Sequence, residues 1–245
     1  MLVRSSYEHG ITTLTLDSPH NRNALSARLV GELGDGLERA AEDADTRAVV
    51  LTHTGTTFCS GADLSEPTPT GPAELTRLLR AVVELPKPVV ARVTGHVRAG
   101  GLGLLGACDI SVAGTSSSFA FTEARLGLAP AVISLPLLPR LDARAAARYY
   151  LTGERFDAAE AARIGLVTAA DDDVDAFVAR ITDGLRRGSP QGLAESKRLA
   201  TAEVLRTFDR DAAELAQRSA RLFASAEARE GMTAFLAKKD PSWVR

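Results

Sequence analysis

Short apolar segments rich in β-branched residues alternate with amphipathic helix patterns along the first half of this chain. The apolar segments are RAVVLTHTG (47–55), PVVARV (88–93), DISVAG (109–114) and SFAF (118–121). Helix patterns cover about 27–42, with Ser26 as the predicted N-cap, and 73–84. A continuous apolar run is typical of a buried parallel strand, and a helix returns the chain to the next strand. The alternation therefore predicts an α/β fold of repeated strand–turn–helix units.

The chain changes character at Asp142. Alanine-rich helix patterns dominate from there, and only LVTAA (166–170) indicates another strand. A chain of 245 residues has room for one large domain, with or without a small appendage. We therefore expect a core over residues 1–188 and a helical region over residues 189–245.

Charge and cysteine content exclude several classes of protein. The net charge of -2, with basic residues scattered among acids, argues against a nucleic-acid partner. Cys59 and Cys108 match no zinc spacing and are expected to be reduced core thiols, and the four histidines share no metal spacing. No run has the length of a membrane span and no signal core begins the chain. These features predict a cytoplasmic protein without a metal site, a membrane contact or a nucleic-acid partner.

A glycine-rich segment, GHVRAGGLGLLGACD (95–109), contains the spacing GxGxxG at Gly101, Gly103 and Gly106. A dinucleotide site needs a strand that leads directly into the first glycine, but TGHVRA (94–99) intervenes here. We instead expect Gly103 and Gly106 to lie inside a closely packed helix. Gly100 and Gly101 would start that helix, where free N–H groups favour negative charge. Gly100 is thus a candidate donor to a developing oxyanion.

A second small-residue turn, CSGADL (59–64), follows the strand pattern VVLT and the loop HTGTTF. Gly61 and Ala62 would expose backbone N–H groups where the chain reverses. The alternative is an ordinary turn in which Asp63 caps a helix.

A third candidate is Glu123 in the otherwise apolar segment FAFTEARLGLAP (119–130). The carboxylate could pair with Arg125 or cap the following turn. It could also be a desolvated general acid or base, because apolar surroundings raise the pKa of a carboxyl group.

Taken together, two N–H-donating turns and one buried carboxylate resemble the crotonase family, the enoyl-CoA hydratase/isomerase superfamily. The resemblance spans essentially the whole chain and rests on five motifs in order: SPHNRNALS (18–26), FCSGADL (58–64), KPVVARVTGHVRAGG (87–101), ACDISVA (107–113) and FTEARLGLAP (121–130). The tail GMTAFLAKKDPSW (231–243) also looks like the family's C-terminal end. The resemblance implies a spiral of ββα units with a C-terminal helical trimerisation region, giving a homotrimer or a dimer of trimers. It implies an acyl-CoA thioester as substrate, with coenzyme A as part of that substrate and no separate cofactor.

The resemblance also implies roles for individual residues. The backbone N–H groups of Ala62 and Gly100 would form an oxyanion hole, and Glu123 would be the general acid/base. The residues implied in binding coenzyme A or the acyl group are Arg22, Ala24, Leu25, Ser60, Gly61, Asp63, Leu64, Arg98, Gly101, Phe235 and Lys238. Of these, Phe235 and Lys238 are similar to tail residues that reach the nucleotide across a subunit interface. Arg98 would meet a substrate carboxylate or point to solvent. The loop SEPTPTGP (65–72) is expected to border the acyl pocket.

The chain departs from the family pattern at one position. Hydratases of the best-known type hold water with two glutamates, and Gly103 stands where the second would fall. Three functions remain open: a hydratase that uses Glu123 alone, a Δ3,Δ2-enoyl-CoA isomerase, and a non-catalytic acyl-CoA binder. Gly103 and GLAPAVIS (127–134) are most similar to single-glutamate members of the methylglutaconyl-CoA hydratase type, so we favour hydration of an enoyl-CoA, which could be branched.

Overall fold

A computed structural model of the protein describes residues 1–66 and 71–244. The predicted loop at 65–72 therefore lies partly outside the described residues. The strands are β1 (Val3–Glu8), β2 (Ile11–Leu16), β3 (Ala48–His53), β4 (Thr57–Cys59), β5 (Val89–Val93), β6 (His96–Arg98), β7 (Ile110–Gly114), β8 (Ser118–Ala120), β9 (Phe156–Asp157) and β10 (Ala169–Asp171). The helices are α1 (Ala27–Glu42), α2 (Pro72–Glu84), α3 (Gly100–Ala107), α4 (Ser134–Leu137), α5 (Ala143–Thr152), α6 (Ala158–Arg163), α7 (Val174–Arg186), α8 (Pro190–Ala200), α9 (Ala202–Phe223) and α10 (Ala226–Leu236). Two 3₁₀ helices cover Pro19–Asn21 and Glu123–Leu126, and the second is called the Glu123 turn below.

The larger sheet has the strand order β1-β2-β3-β5-β7-β10. Its first pair is an antiparallel hairpin, and every later pairing is parallel. All six residues of β3 are buried, as its continuous apolar run predicts. The α/β class predicted from the sequence is confirmed.

Helix α1 shows how local sequence sets the elements of this fold. It spans the predicted residues, and the Ser26 hydroxyl accepts a hydrogen bond from the Leu29 N–H at 3.2 Å. Leu29, Leu33 and Leu37 recur at helical spacing and are buried against the larger sheet. The helix thus packs one apolar face and leaves its charged face in water.

A smaller sheet has the strand order β4-β6-β8-β9, and of its strands the sequence patterns predict only β8, in SFAF (118–121). β4, β6 and β8 contain three residues each and run parallel. Three residues are too few for any hydrophobic periodicity to appear. This sheet carries the candidate site.

The C-terminal helices pack on the core through α9, which contacts α2 and α4. A buried ion pair fixes α8, because Lys197 Nζ lies 2.8 Å from Asp109 Oδ2 and donates to the carbonyls of Val82 and Lys87. Burial raises the pKa of Asp109 and lowers that of Lys197, and the attraction between the two charges opposes both shifts. Removing either partner would leave the other charge buried and uncompensated.

The helical region predicted over 189–245 is present as α8, α9 and α10, with Thr201 between the first two. Two local bounds need correction. The strand predicted at 166–170 is β10, and it begins at Ala169 because Leu166 and Val167 are buried in the turn before it. Helix α2 begins one residue early, at Pro72, whose fixed φ suits the first helical position. In the described part of the chain, every helix is too short or too polar to cross a bilayer.

Candidate active site

Three parallel strands of the smaller sheet end at the same edge and deliver the three predicted catalytic residues to it. Ala62 follows β4, Gly100 follows β6 and the Glu123 turn follows β8. The register pairs Cys59 with Val97 and Arg98 with Ala120, so the strand ends are level. Neighbouring strands lie about 4.8 Å apart, and ligands of parallel sheets bind beyond the carboxyl ends of the strands. The topology therefore gathers these residues at one place.

The turn at Gly61 requires glycine. Its φ of +91° is disfavoured for other residues, and a Cβ there would lie 2.9 Å from the Ala99 Cβ and 3.2 Å from the Gly100 nitrogen. The turns after β4 and β6 are thus in direct contact, and any side chain at Gly61 would push them apart.

We expect Gly61→Ala to lower the Tm by about 3–10 °C, because the strained φ costs about 1–3 kcal/mol and the new Cβ overlaps Ala99. A thermal melt measures this. Gly184→Ala is the matched control, since Gly184 lies in α7 with nothing within 4 Å of a built Cβ. An unchanged Tm in Gly61→Ala would show that the turn adapts without strain.

Ala99 holds the start of α3 in an unusual conformation. Its φ of 46° and ψ of -123° match the first central position of a type II′ turn, which glycine usually fills. Ala99 donates its N–H to the Ala120 carbonyl at 3.2 Å, which joins the ends of β6 and β8. The turn directs the first amide of α3, that of Gly100, out of the helix. Non-glycine residues in such conformations cluster at functional sites.

Two backbone N–H groups at this edge have no acceptor among the described residues. Leu25 donates its N–H to the Gly61 carbonyl at 2.8 Å and forms a parallel bridge with Ala62. Across the residues described, the N–H groups of Ala62 and Gly100 donate to no protein atom. The Gly100 amide is also one of the free donors of a helix N-terminus. This pair of donors suits an oxygen that gains negative charge.

Glu123 is buried, with 8% of its surface exposed, and its Oε2 has no hydrogen-bond partner among the described residues. Burial raises its pKa to about 7, and a hydrogen bond to its own backbone opposes the shift only in part. The pairing with Arg125 is wrong, because Arg125 Nε donates to the Thr152 carbonyl at 3.0 Å. Glu123 is therefore a carboxyl group able to exchange protons near neutral pH.

Helix α10 packs directly against the Glu123 turn. A Cβ at Gly231 would lie 2.6 Å from the carbonyl carbon of Leu126, and one at Gly127 would lie 2.8 Å from the nitrogen of Ala228. Only glycines allow the two backbones to approach so closely.

The position predicted to lack a second acid is filled by a hydrophobic side chain. A Cβ at Gly103 would lie 2.5 Å from Ile133 Cγ2 and 2.8 Å from Ile133 Cβ. Gly106 contacts Leu137 in the same way, so α4 packs tightly on α3 through two glycines. The second carboxylate is thus sterically excluded as well as absent.

The partly buried Arg98 forms its hydrogen bonds within the smaller sheet. Its guanidinium donates to the Val97 carbonyl and to Ser118 Oγ, both at 2.8 Å. Burial, and secondarily the charge of Arg155, lower its pKa to about 10. The side chain folds back to the start of β8, so the predicted contact with a substrate carboxylate gains no support from this geometry.

Asp63 does not cap a helix, because a turn follows it. Its carboxylate accepts hydrogen bonds from the N–H and hydroxyl of Ser65 and from the Asn21 amide at 3.0 Å. Burial pushes its pKa up, but these hydrogen bonds outweigh burial and the pKa is lowered. Ser60 Oγ donates to the Asn21 carbonyl at 3.4 Å. Asn21, which the sequence reasoning missed, therefore joins the turn after β4 to the 3₁₀ helix Pro19–Asn21.

The remaining predicted binding residues differ in their exposure. Arg22 is exposed, Leu64 is partly buried, and Ala24 and Leu25 are buried. Leu25 Cδ1 would lie 3.1 Å from a Cβ at Gly100, so this side chain lies beside the two donors.

Of the three further predicted binding residues, one is buried next to Gly100 and two are exposed. Gly101 packs against β4, where a Cβ would lie 2.7 Å from the Cys59 carbonyl oxygen. Phe235, 52% exposed, and Lys238, also exposed, lie at and just beyond the C-terminal end of α10.

Sequence reasoning also missed Tyr150 on α5, whose ring centroid lies 4.7 Å from that of Phe121. The predicted thiols Cys59 and Cys108 are buried and unpaired, and burial raises the pKa of each to about 12. Over residues 1–66 and 71–244, no three His, Cys, Asp or Glu side chains are placed to share a metal ion.

Comparison with known proteins gives a consistent result. The family model described as enoyl-CoA hydratase/isomerase matches residues 6–245. A protein of Rhodobacter capsulatus named as a probable enoyl-CoA hydratase is 36% identical, with 99% of this chain and 97% of that protein covered. The 1,2-epoxyphenylacetyl-CoA isomerase of Escherichia coli is 32% identical, with 99% and 98% covered.

Solved structures resemble the fold closely. The crystal structure of a putative enoyl-CoA hydratase from Mycobacterium avium paratuberculosis K-10 has a TM-score of 0.94 and 57% identity, with both chains covered completely. The crotonase-type fold implied by the sequence motifs is thereby confirmed.

Proposed function

The chain belongs to the enoyl-CoA hydratase/isomerase family, and we propose that it hydrates an enoyl-CoA thioester and catalyses the reverse dehydration. The observation that supports this proposal is the buried Glu123 carboxyl with an unpartnered oxygen, in the turn that follows β8 at the edge where Ala62 and Gly100 follow β4 and β6.

The two amides would stabilise charge on the substrate. Addition of water to a double bond conjugated with a thioester places negative charge on the thioester oxygen. Two N–H donors already in position stabilise that enolate without reorganising, and loss of one such donor typically costs about 3–4 kcal/mol. Binding of the CoA moiety would hold the acyl group between these donors and Glu123.

Glu123 would carry both proton transfers. As a carboxylate it takes a proton from water while the hydroxyl oxygen bonds to C3, and the electron pair of the double bond moves into the enolate. The resulting carboxylic acid then protonates C2, which restores the carboxylate. Atoms and charge balance with one carboxyl group.

The pKa of Glu123 predicts the pH dependence of this reaction. Because the base form is required and burial raises the pKa to about 7, kcat/KM should rise tenfold per pH unit below about pH 7 and level off above it. A pH–rate profile with crotonyl-CoA measures this. A rising limb centred near the ordinary glutamate value of 4.5 would show that Glu123 is not the titrating base.

A second candidate function is isomerisation of 3-enoyl-CoA, in which Glu123 would move a proton from C2 to C4. The packing of Ile133 on Gly103 favours this alternative, since isomerisation needs no second carboxylate. The relative named as 1,2-epoxyphenylacetyl-CoA isomerase is 32% identical to this chain, close to the 36% of the relative named as a probable enoyl-CoA hydratase.

A coupled assay on crotonyl-CoA, a 3-enoyl-CoA and 3-methylglutaconyl-CoA tests the proposal. Hydration of crotonyl-CoA or 3-methylglutaconyl-CoA supports it, and preference for the second would support the single-glutamate branched-substrate subtype. Turnover of the 3-enoyl-CoA alone would establish the isomerase instead.

The assembly and the binding roles of the tail belong to the same proposal. A homotrimer or a dimer of trimers would cover Phe235, Leu236 and Trp243, large apolar side chains that are 39–58% exposed in the single chain. Phe235 and Lys238 would then be available to a nucleotide at a subunit interface. We propose a cytoplasmic location and no cofactor beyond the CoA moiety of the substrate.

A further inference from the structure

Besides Glu123 itself, Tyr150 is a largely buried titratable side chain that packs beside the Glu123 turn. Helix α5 packs on this turn, and the Tyr150 ring lies against Phe121, two residues before Glu123. Burial raises the pKa of Tyr150, a hydrogen bond with Ser134 opposes the shift, and the Glu123 charge adds to it. The ring packing thus places the phenol beside the turn that carries Glu123.

The phenol oxygen has hydrogen-bonding capacity to spare. Ser134 Oγ is the donor toward both the Pro130 carbonyl oxygen, at 2.6 Å, and Tyr150 Oη, at 3.3 Å. A phenol both donates and accepts. Its one hydrogen bond within the described residues, from Ser134, fixes the position of Tyr150 Oη and leaves the phenol O–H able to bond a water.

Hydration needs a second polar group that holds the attacking water beside Glu123. A bound water is held by two to four polar partners, and Glu123 supplies only one side chain. Ile133 closes the position from which a second carboxylate would reach, and Ser134 is the next residue in the same turn. The segment that excludes the second acid thus also anchors the hydroxyl of Tyr150.

We propose that Tyr150, anchored by Ser134, is the second hydrogen-bonding partner of the water that Glu123 deprotonates. The inference rests on the proposed function and adds no reacting group, since the Tyr150 hydroxyl ends the cycle in the form in which it began. Water enters hydration but not isomerisation. Tyr150 is therefore a positioning residue for hydration alone.

Tyr150→Phe in the full chain tests this, because it keeps the ring against Phe121 and removes only the hydroxyl. We expect hydration of crotonyl-CoA to lose about 10- to 100-fold in kcat, the effect of losing a hydrogen bond to a charged or reacting group. Isomerisation of a 3-enoyl-CoA should change less than about threefold, since its proton transfer uses Glu123 alone. If the wild type hydrates crotonyl-CoA but does not isomerise a 3-enoyl-CoA, substrate binding is compared instead. Crotonyl-CoA should then raise the Tm of Tyr150→Phe as much as it raises the Tm of the wild type.

The neighbouring tyrosine supplies the control. Tyr149 Oη donates to Glu160 Oε1 at 2.7 Å, and Tyr149→Phe should leave both reactions unchanged. Ser134→Ala is a second variant, because it removes the hydroxyl that anchors Tyr150. It should lower kcat for the hydration of crotonyl-CoA by a smaller factor than Tyr150→Phe does. Equal losses in both reactions, or full hydration activity in Tyr150→Phe, would overturn the inference and leave the proposed function intact. If the wild-type protein hydrates no enoyl-CoA, both the inference about Tyr150 and the proposed function are overturned.

Discussion

Glu123→Gln is expected to lower kcat by about 10²- to 10⁴-fold, the usual contribution of a positioned acid/base, while a CoA thioester still binds. Glutamine keeps the size and polarity of the side chain but cannot take or return a proton. Steady-state kinetics measure the loss, and the thermal shift produced by the CoA thioester measures binding. Glu195→Gln is the matched control, because Glu195 is exposed and pairs only with Arg198. Activity of the Glu123→Gln protein within threefold of the wild type would remove Glu123 from the mechanism.

The same variant changes how stability depends on pH. The folded pKa of Glu123 is about 7, above the ordinary value of 4.5, so the native state holds this proton more tightly than the unfolded chain. Its stabilising contribution is complete below about pH 4.5 and is lost as pH rises to about 7. Relative to Glu123→Gln, the wild type should therefore lose roughly 3 kcal/mol of unfolding free energy across that interval. Denaturant titrations at the two pH values give the difference.

Gly103→Glu is expected to lower the Tm by about 10 °C or more, although it restores the residue found in two-glutamate hydratases. Its Cβ would lie 2.5 Å from Ile133 Cγ2, and overpacking of a core typically costs about 1–3 kcal/mol. Burial of a carboxylate without a partner adds to that cost. A thermal melt measures the change.

The double variant Gly103→Glu/Ile133→Gly isolates the steric cause. Alanine at 133 would keep the Cβ that lies 2.8 Å from the new side chain, whereas glycine leaves its Cα at 3.3 Å. The double variant should recover part of the lost Tm. Gly31→Glu is the control, since Gly31 is an exposed residue of α1 with nothing within 4 Å of a built Cβ. A wild-type Tm in Gly103→Glu alone would show that Ile133 moves aside freely.

The sequence predicts the elements that depend on local signals and does not predict those that depend on pairing between distant segments. Helix α1 followed from the Ser26 cap and three leucines at helical spacing, because those signals are local. Of the smaller sheet only β8 followed from an apolar segment, since the pairing of these short strands with each other is not a local signal. The motifs still led to Ala62, Gly100 and Glu123, because each lies in a turn whose residue types are constrained by its backbone.

The surroundings of these residues could not be predicted, because they come from distant segments. Gly103 indicated a missing acid, but only the packing of α4 on α3 shows that Ile133 occupies its place. Arg98 could have met substrate or solvent, and only the structure shows that its guanidinium donates to Ser118 on the neighbouring strand. Tyr150 carries no motif, and its place beside the Glu123 turn depends on how α5 docks.

The close contact between α10 and the Glu123 turn has a consequence for the order of events during synthesis. A ribosome exposes every residue of the smaller sheet well before it exposes Gly231, which closes over Leu126. We expect the emerging chain to form its sheets with Glu123 still hydrated and ordinarily acidic. Because α10 packs on the backbone of Leu126 and Gly127, we expect the carboxyl group to lose its remaining water only after α10 has docked, so a chain that lacks α10 should form its sheets and have little activity.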